Sequence, residues 1–72
     1  MTKTIEITKV TFETIRPNKD DHAYDAFVAY TNVVDAYNNQ VSGFGDTKEE
    51  AIEDALFFAD LWVNTFKTGT IV

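Results

Sequence analysis

Asp46-Thr47-Lys48-Glu49-Glu50 divides the chain into two kinds of hydrophobic spacing. Thr47 followed three residues later by Glu50 fits a capping box, in which each residue satisfies a backbone N–H that the first helical turn leaves free, with Asp46 a competing N-cap one residue earlier. Asp46, Glu49 and Glu50 also place negative charge at the positive end of a helix dipole. Beyond Glu49 the apolar residues recur with helical spacing to about Phe66-Lys67, and Gly69 stands where a helix stop is expected. The spacing therefore predicts one long helix from Thr47 onward.

Before Asp46 the period is two. Between Lys3 and Arg16, Ile5 and Ile7 lie on one face, whereas Val10, Phe12 and Thr14 lie on the other. A regular strand cannot change parity, so a bulge is expected near Thr8-Lys9. Arg16-Pro17-Asn18-Lys19-Asp20-Asp21 reads as a turn, because Pro fixes one backbone angle and Asn and Asp bond locally. A second strand is expected from about Ala23 to Val34. Its centre, Phe27-Val28-Ala29-Tyr30, is apolar on both faces, as in a central strand or one whose second face is covered. Asp35 to Asn39 is a further turn, and a short third strand runs from Gln40 to Phe44 into Gly45. The expected fold is α+β: a three-stranded antiparallel sheet followed by one amphipathic helix on one face, β-β-β-α. Thr70-Ile71-Val72 could add a short terminal strand. Residues 1–72 read as a single domain, without repeat, linker or low-complexity segment.

On a helical wheel advancing about 100° per residue, Ala51, Ile52, Ala55, Leu56, Phe58, Ala59, Trp62, Val63 and Phe66 fall in one arc, the expected core face. Glu50, Glu53, Asp54, Asp60 and Asn64 fall opposite. Phe57 and Leu61 fall there too, four residues apart and so neighbours on the surface. A large aromatic ringed by carboxylates is costly to leave in water, so Glu50, Glu53, Asp54, Phe57, Asp60 and Leu61 form an expected protein interface unless a loop or the C-terminal tail covers them. One helix covers only one sheet face. Either Phe27 and Ala29 or Val28 and Tyr30 must point away from it, and Tyr30 joins the expected interface on that ground.

Composition narrows the function. The chain has 72 residues, 44% of them hydrophobic, with six Phe, three Tyr and one Trp, so a folded domain near the lower size limit is expected. Six Lys and Arg against twelve Asp and Glu give a net charge of −6. This disfavours direct nucleic-acid binding, which rests on neutralising phosphates. Cysteine is absent, which removes disulfides, zinc–thiolate sites and cysteine nucleophiles. No apolar run approaches the roughly 20 residues of a membrane helix, and the N-terminus has no signal-peptide pattern, so a cytoplasmic, reducing location is expected. His22, the single histidine, sits in a turn beside Asp20 and Asp21 with no second ligand. Gly43-Phe44-Gly45 precedes a helix but lacks the third glycine and the lysine of a phosphate loop, and Asp46, Glu49 and Glu50 would repel phosphate. No catalytic site, cofactor or metal is expected, and the chain reads as a non-enzyme.

From Phe27-Val28-Ala29-Tyr30 through Gly43-Phe44-Gly45-Asp46-Thr47-Lys48-Glu49-Glu50-Ala51-Ile52-Glu53-Asp54-Ala55, the chain resembles the N-terminal domain of HicB-type antitoxins. The shared pattern is a strand with an aromatic near its end, a turn, a short strand, then Gly-Asp-Thr-x-Glu-Glu-Ala opening an amphipathic helix. It matches at Gly45, Asp46, Thr47, Glu49, Glu50 and Ala51, within a resemblance covering roughly residues 24–58. The Asp-Leu-Pro-Gly-Cys turn usual in the family is replaced by Val34-Asp35-Ala36-Tyr37-Asn38-Asn39. Few residues follow the helix, so the DNA-binding domain of many members is not expected. The resemblance implies a non-catalytic inhibitor that occludes a small, basic, double-stranded-RNA-binding-like ribonuclease toxin. An acidic chain suits a basic target, since long-range attraction speeds encounter. Two other functions fit the same composition. One is a phage-encoded inhibitor of bacterial defence of the anti-CRISPR type, with carboxylates standing in for phosphates. The other is a structural protein that binds only itself. The expected partners are a second copy, as a homodimer or larger, and a basic protein.

Overall fold

The computed structural model describes residues 3–72. Strands β1 (Ile7–Ile15), β2 (Tyr24–Val34) and β3 (Gln40–Gly45) form an antiparallel meander with β2 in the centre, and helix α1 (Lys48–Asp60) follows. This is the expected β-β-β-α fold. The apolar centre of the second strand belongs, as its composition suggested, to the strand with neighbours on both sides. Strand β4 (Thr70–Ile71) pairs antiparallel with Val33 and Val34 of β2.

The bulge lies where the parity changes. Ile7 pairs with Thr31 but Lys9 pairs with Tyr30, so one extra residue is absorbed between them. That brings Ile7 and Val10 to the same face, and both pack against the helix. Past Ile7 the chain leaves the ladder and is held to Asn32. The Asn32 N–H donates to the Glu6 carbonyl, its Oδ1 accepts from the Glu6 N–H, and its Nδ2 donates to the Thr4 carbonyl. The Val72 N–H donates to the Asn32 carbonyl, extending the contact begun by β4.

Local chemistry sets both hairpin turns. In the first, the Asp21 N–H donates to the Asn18 carbonyl and Asn18 Nδ2 to the Asp21 carboxylate. In the second, Asp35 Oδ1 accepts from the N–H groups of Tyr37 and Asn39, and Asn38 takes a left-handed φ of 65°. The β2–β3 register shifts between Tyr30 and Val34. Thr31, fully buried there, donates its hydroxyl to the Val41 carbonyl and accepts from the Val33 N–H.

Helix α1 begins as expected. Thr47 is the N-cap, its hydroxyl accepting from the Glu50 N–H at 3.1 Å. The reciprocal bond reaches one residue further back than in the simple capping box, from the Asp46 N–H to Glu50 Oε2 at 3.1 Å. The end of the helix departs from expectation. The α-helix stops at Asp60 and a π-helical turn, η1 (Leu61–Thr65), follows. The left-handed position after it belongs to Lys67, with φ 57°, and not to Gly69. Trp62 explains the exchange, because its carbonyl accepts from the N–H groups of both Thr68 and Gly69. Gly69 serves close packing, since a Cβ there would lie 2.8 Å from Trp62 Cβ.

The core is built from small side chains. Ala51, Ala55 and Ala59, one helical turn apart, are fully buried over β2 and β3. Opposite them, a Cβ on Gly43 would meet the Ala55 nitrogen at 2.1 Å, and one on Gly45 would meet the Ala51 nitrogen at 2.6 Å. Strand and helix backbones are therefore nearly in contact, and no large side chain fits between them. The wider core arc is corrected on this point: Leu56, Phe58 and Phe66 are exposed, while Ile52, Trp62 and Val63 are half-buried at its margins. Among the described residues no helix is long and apolar enough to cross a membrane.

Candidate protein-binding surface

Helix α1 turns Phe57 away from the sheet, and its close seating leaves no room beneath it for the Phe58 ring. Asp54, Phe57, Phe58 and Leu61 follow the i, i+3, i+4, i+7 spacing of a single helical stripe. Asp54 locates that stripe, because its carboxylate accepts from the Phe44 N–H at 3.0 Å. Phe44 lies on β3, the outermost strand on that side. The stripe thus overhangs the free edge of the sheet. Phe57 is 60% exposed and Phe58 40%, with their rings edge to face at 5.5 Å, and Leu61 is half-buried in the first position of the π turn.

Carboxylates bracket the stripe. Glu50 and Glu53 are exposed on the turn before it, and exposed Asp60 accepts a hydrogen bond from Asn64 Nδ2 at 2.6 Å. Glu50 also holds the helix start, so it combines a structural bond with its place on the rim. Asp54 belongs partly to the sheet: it is half-buried and covers an edge N–H that would otherwise be open to another strand. Six of the seven expected interface residues therefore meet on one surface. The sequence reading missed Phe58, which the helical wheel placed in the core. The reason lies in the pairing of the Ala51-Ala55-Ala59 seam with Gly43 and Gly45 across the sheet, which leaves a strip too narrow for a ring.

Tyr30, the seventh, lies elsewhere. Phe27 and Ala29 face the helix, so Val28 and Tyr30 point to the opposite sheet face. There the Tyr30 hydroxyl donates to Glu13 Oε2 at 2.9 Å, and the Lys9 ammonium sits 5.4 Å from the ring centroid. The hydrogen bond to Glu13, helped by burial and by the Glu13 charge, holds the Tyr30 phenol above its ordinary pKa. Neighbouring Val28 is buried on a face that no helix covers.

A third aromatic group closes the end of the molecule remote from the first hairpin. Tyr37 and Phe66 each meet Trp62 edge to face, at 6.2 and 5.2 Å. Every Phe, Tyr and Trp in the chain is thus at least partly exposed, whereas the largest fully buried side chains are Val28, Val33 and Thr31. Among the described residues no group of three His, Asp or Glu side chains gathers as a metal site would require. No family model, curated protein or solved structure matches the chain.

Proposed function

We propose that this chain is a non-catalytic inhibitor that binds a basic protein through the outer stripe of α1, acting as a HicB-like antitoxin on a small basic ribonuclease. One observation carries the proposal: Phe57, Phe58 and Leu61 share one outer stripe among Glu50, Glu53, Asp54 and Asp60, Phe57 and Leu61 by their position on the helix and Phe58 because the helix is seated too close to the sheet to take its ring in. The carboxylates supply a negative field that speeds encounter with a cationic partner, and the rings supply contact area that slows its release. The exposed part of Phe57, 60% of a side chain that buries about 200 Å² when covered, corresponds to about 3 kcal/mol at about 25 cal/mol per Å². That is roughly a hundredfold in affinity from one anchor. The inhibitor needs no reactive group of its own, because covering the partner's RNA-binding surface suffices.

Sequencing the genes that flank its own, and co-expressing the chain with the small basic ribonuclease expected there, tests the proposal. The wild-type chain should restore growth and the Phe57→Glu variant should not. Growth arrest that the wild-type chain leaves unrelieved, or a neighbourhood with no such ribonuclease, would contradict it.

A further inference from the structure

The sheet face remote from α1 is assembled differently from the helix surface. Helix α1 carries Lys48 against Glu49, Glu50, Glu53, Asp54 and Asp60, so two copies brought together through it would repel. The strand residues facing the other way include one cation and one anion, Lys9 and Glu13, both on β1. Lys9 pairs with Tyr30, Thr11 with Val28, and Glu13 with Ala26, while Val28 also pairs with Phe44 on β3. The row Thr11–Val28–Phe44 therefore crosses the face midway between a row bearing Lys9 and Tyr30 and a row bearing Glu13 and Ala26.

We infer that a second copy of this chain docks on this face, with the twofold axis lying along the row Thr11–Val28–Phe44. An axis there reverses the strands, so it carries Lys9 of one copy over Glu13 of the other and Tyr30 over Ala26, at both ends of the contact. Charge meets opposite charge, while Ala26 and Val28, 2% and 1% exposed, are already closed off within each copy. Glu13 accepts the Tyr30 hydroxyl through Oε2, which leaves Oε1 to receive the second copy's Lys9. Tyr24 and Phe44, 45% and 43% exposed, supply the apolar margin. Three strands about 4.8 Å apart, matched over the seven residues from Lys9 to Ile15, make a face of about 20 by 14 Å. That is small for a protein interface, so the dimer dissociates readily on dilution. Both α1 helices point outward in this arrangement, and the pair offers two copies of the acidic stripe to basic partners. The dimer does not depend on the inhibitor proposal, since the two surfaces lie on opposite sides of the sheet.

Sedimentation equilibrium on the wild-type chain and on the Lys9→Glu and Glu13→Lys variants tests the inference, with circular dichroism confirming that each folds. The wild type should show concentration-dependent association to twice its 8.1 kDa. Each single variant places like charges across the contact and should weaken the dimer at least tenfold at low salt. An equimolar mixture of the two variants should restore it as a heterodimer, while Phe57→Glu should leave it intact. A wild-type mass of 8.1 kDa at millimolar concentration would overturn the inference. So would a mixture that stays monomeric, or a dimer that Phe57→Glu abolishes.

Discussion

Adding a single methyl group at Gly43 places a Cβ 2.1 Å from the Ala55 nitrogen and 2.6 Å from its Cα. Both atoms belong to the helix backbone, so no side-chain rotation relieves the clash. Ordinary contact begins at 3.4 Å, and the helix must lift by roughly 1.3 Å to reach it, which opens the Ala51-Ala55-Ala59 seam in a close-packed interior. Overpacking of this kind costs about 1–3 kcal/mol, and a backbone neighbour puts the cost at the upper end. Reduced freedom of the unfolded chain returns about 0.4–1 kcal/mol. A net loss of about 2 kcal/mol lowers the melting temperature of a domain this size by about 8–16 °C. Thermal denaturation of Gly43→Ala followed by circular dichroism measures it, with Ser42→Ala as the neighbouring control. A melting temperature equal to or above that of the wild type would refute the seam, because only the unfolded-state effect would then be operating.

Two further perturbations probe the helix start and the open sheet face. Thr47→Ala removes the hydroxyl that accepts from the Glu50 N–H and should cost about 1 kcal/mol, or about 4–8 °C. Asp46→Ala should cost much less, because only the Asp46 backbone takes part. Equal losses from the two would shift the cap to Asp46. Tyr30 has a folded-state pKa raised above the ordinary tyrosine value, chiefly through its hydrogen bond to Glu13. Its contribution to stability is therefore complete below about pH 10, the ordinary tyrosine value, and is lost as pH rises through the higher folded value. The advantage of wild type over Tyr30→Phe in urea denaturation should shrink on raising the pH beyond 10, and a constant difference would contradict the bond.

Features encoded by near neighbours were legible in the sequence. Thr47 and Glu50 lie one helical turn apart, and their bond needs nothing from the rest of the chain. The parity change between Ile7 and Val10 forces a bulge whatever the sheet packs against. Phe57 was legible as exposed because it sits among acidic residues on the wheel. Features set by distant backbone were not. The wheel assigns Leu56, Phe58 and Phe66 to the core by angle alone, but the space available there depends on Gly43 and Gly45, on another element. Asp54 reads as one more rim carboxylate until β3 presents the Phe44 N–H to it. The end of α1 was misread because Gly69 is the usual helix stop, whereas here the Trp62 carbonyl draws Thr68 and Gly69 inward and leaves the left-handed position to Lys67.

The central claim is that the exposed aromatics on the outer stripe of α1 form the anchor for a basic partner. Calorimetric titration of the basic ribonuclease that the proposal assigns as partner, with wild-type and Phe57→Glu protein at low and high salt, tests it most directly. Screening shortens the reach of charge from about 10 Å at 0.1 M to about 3 Å at 1 M, so the wild-type complex should weaken as salt rises. Phe57→Glu should weaken it by at least about a hundredfold at every salt concentration, following the loss of about 3 kcal/mol of apolar contact. An affinity that Phe57→Glu leaves unchanged, or one that rises with salt, would contradict the account.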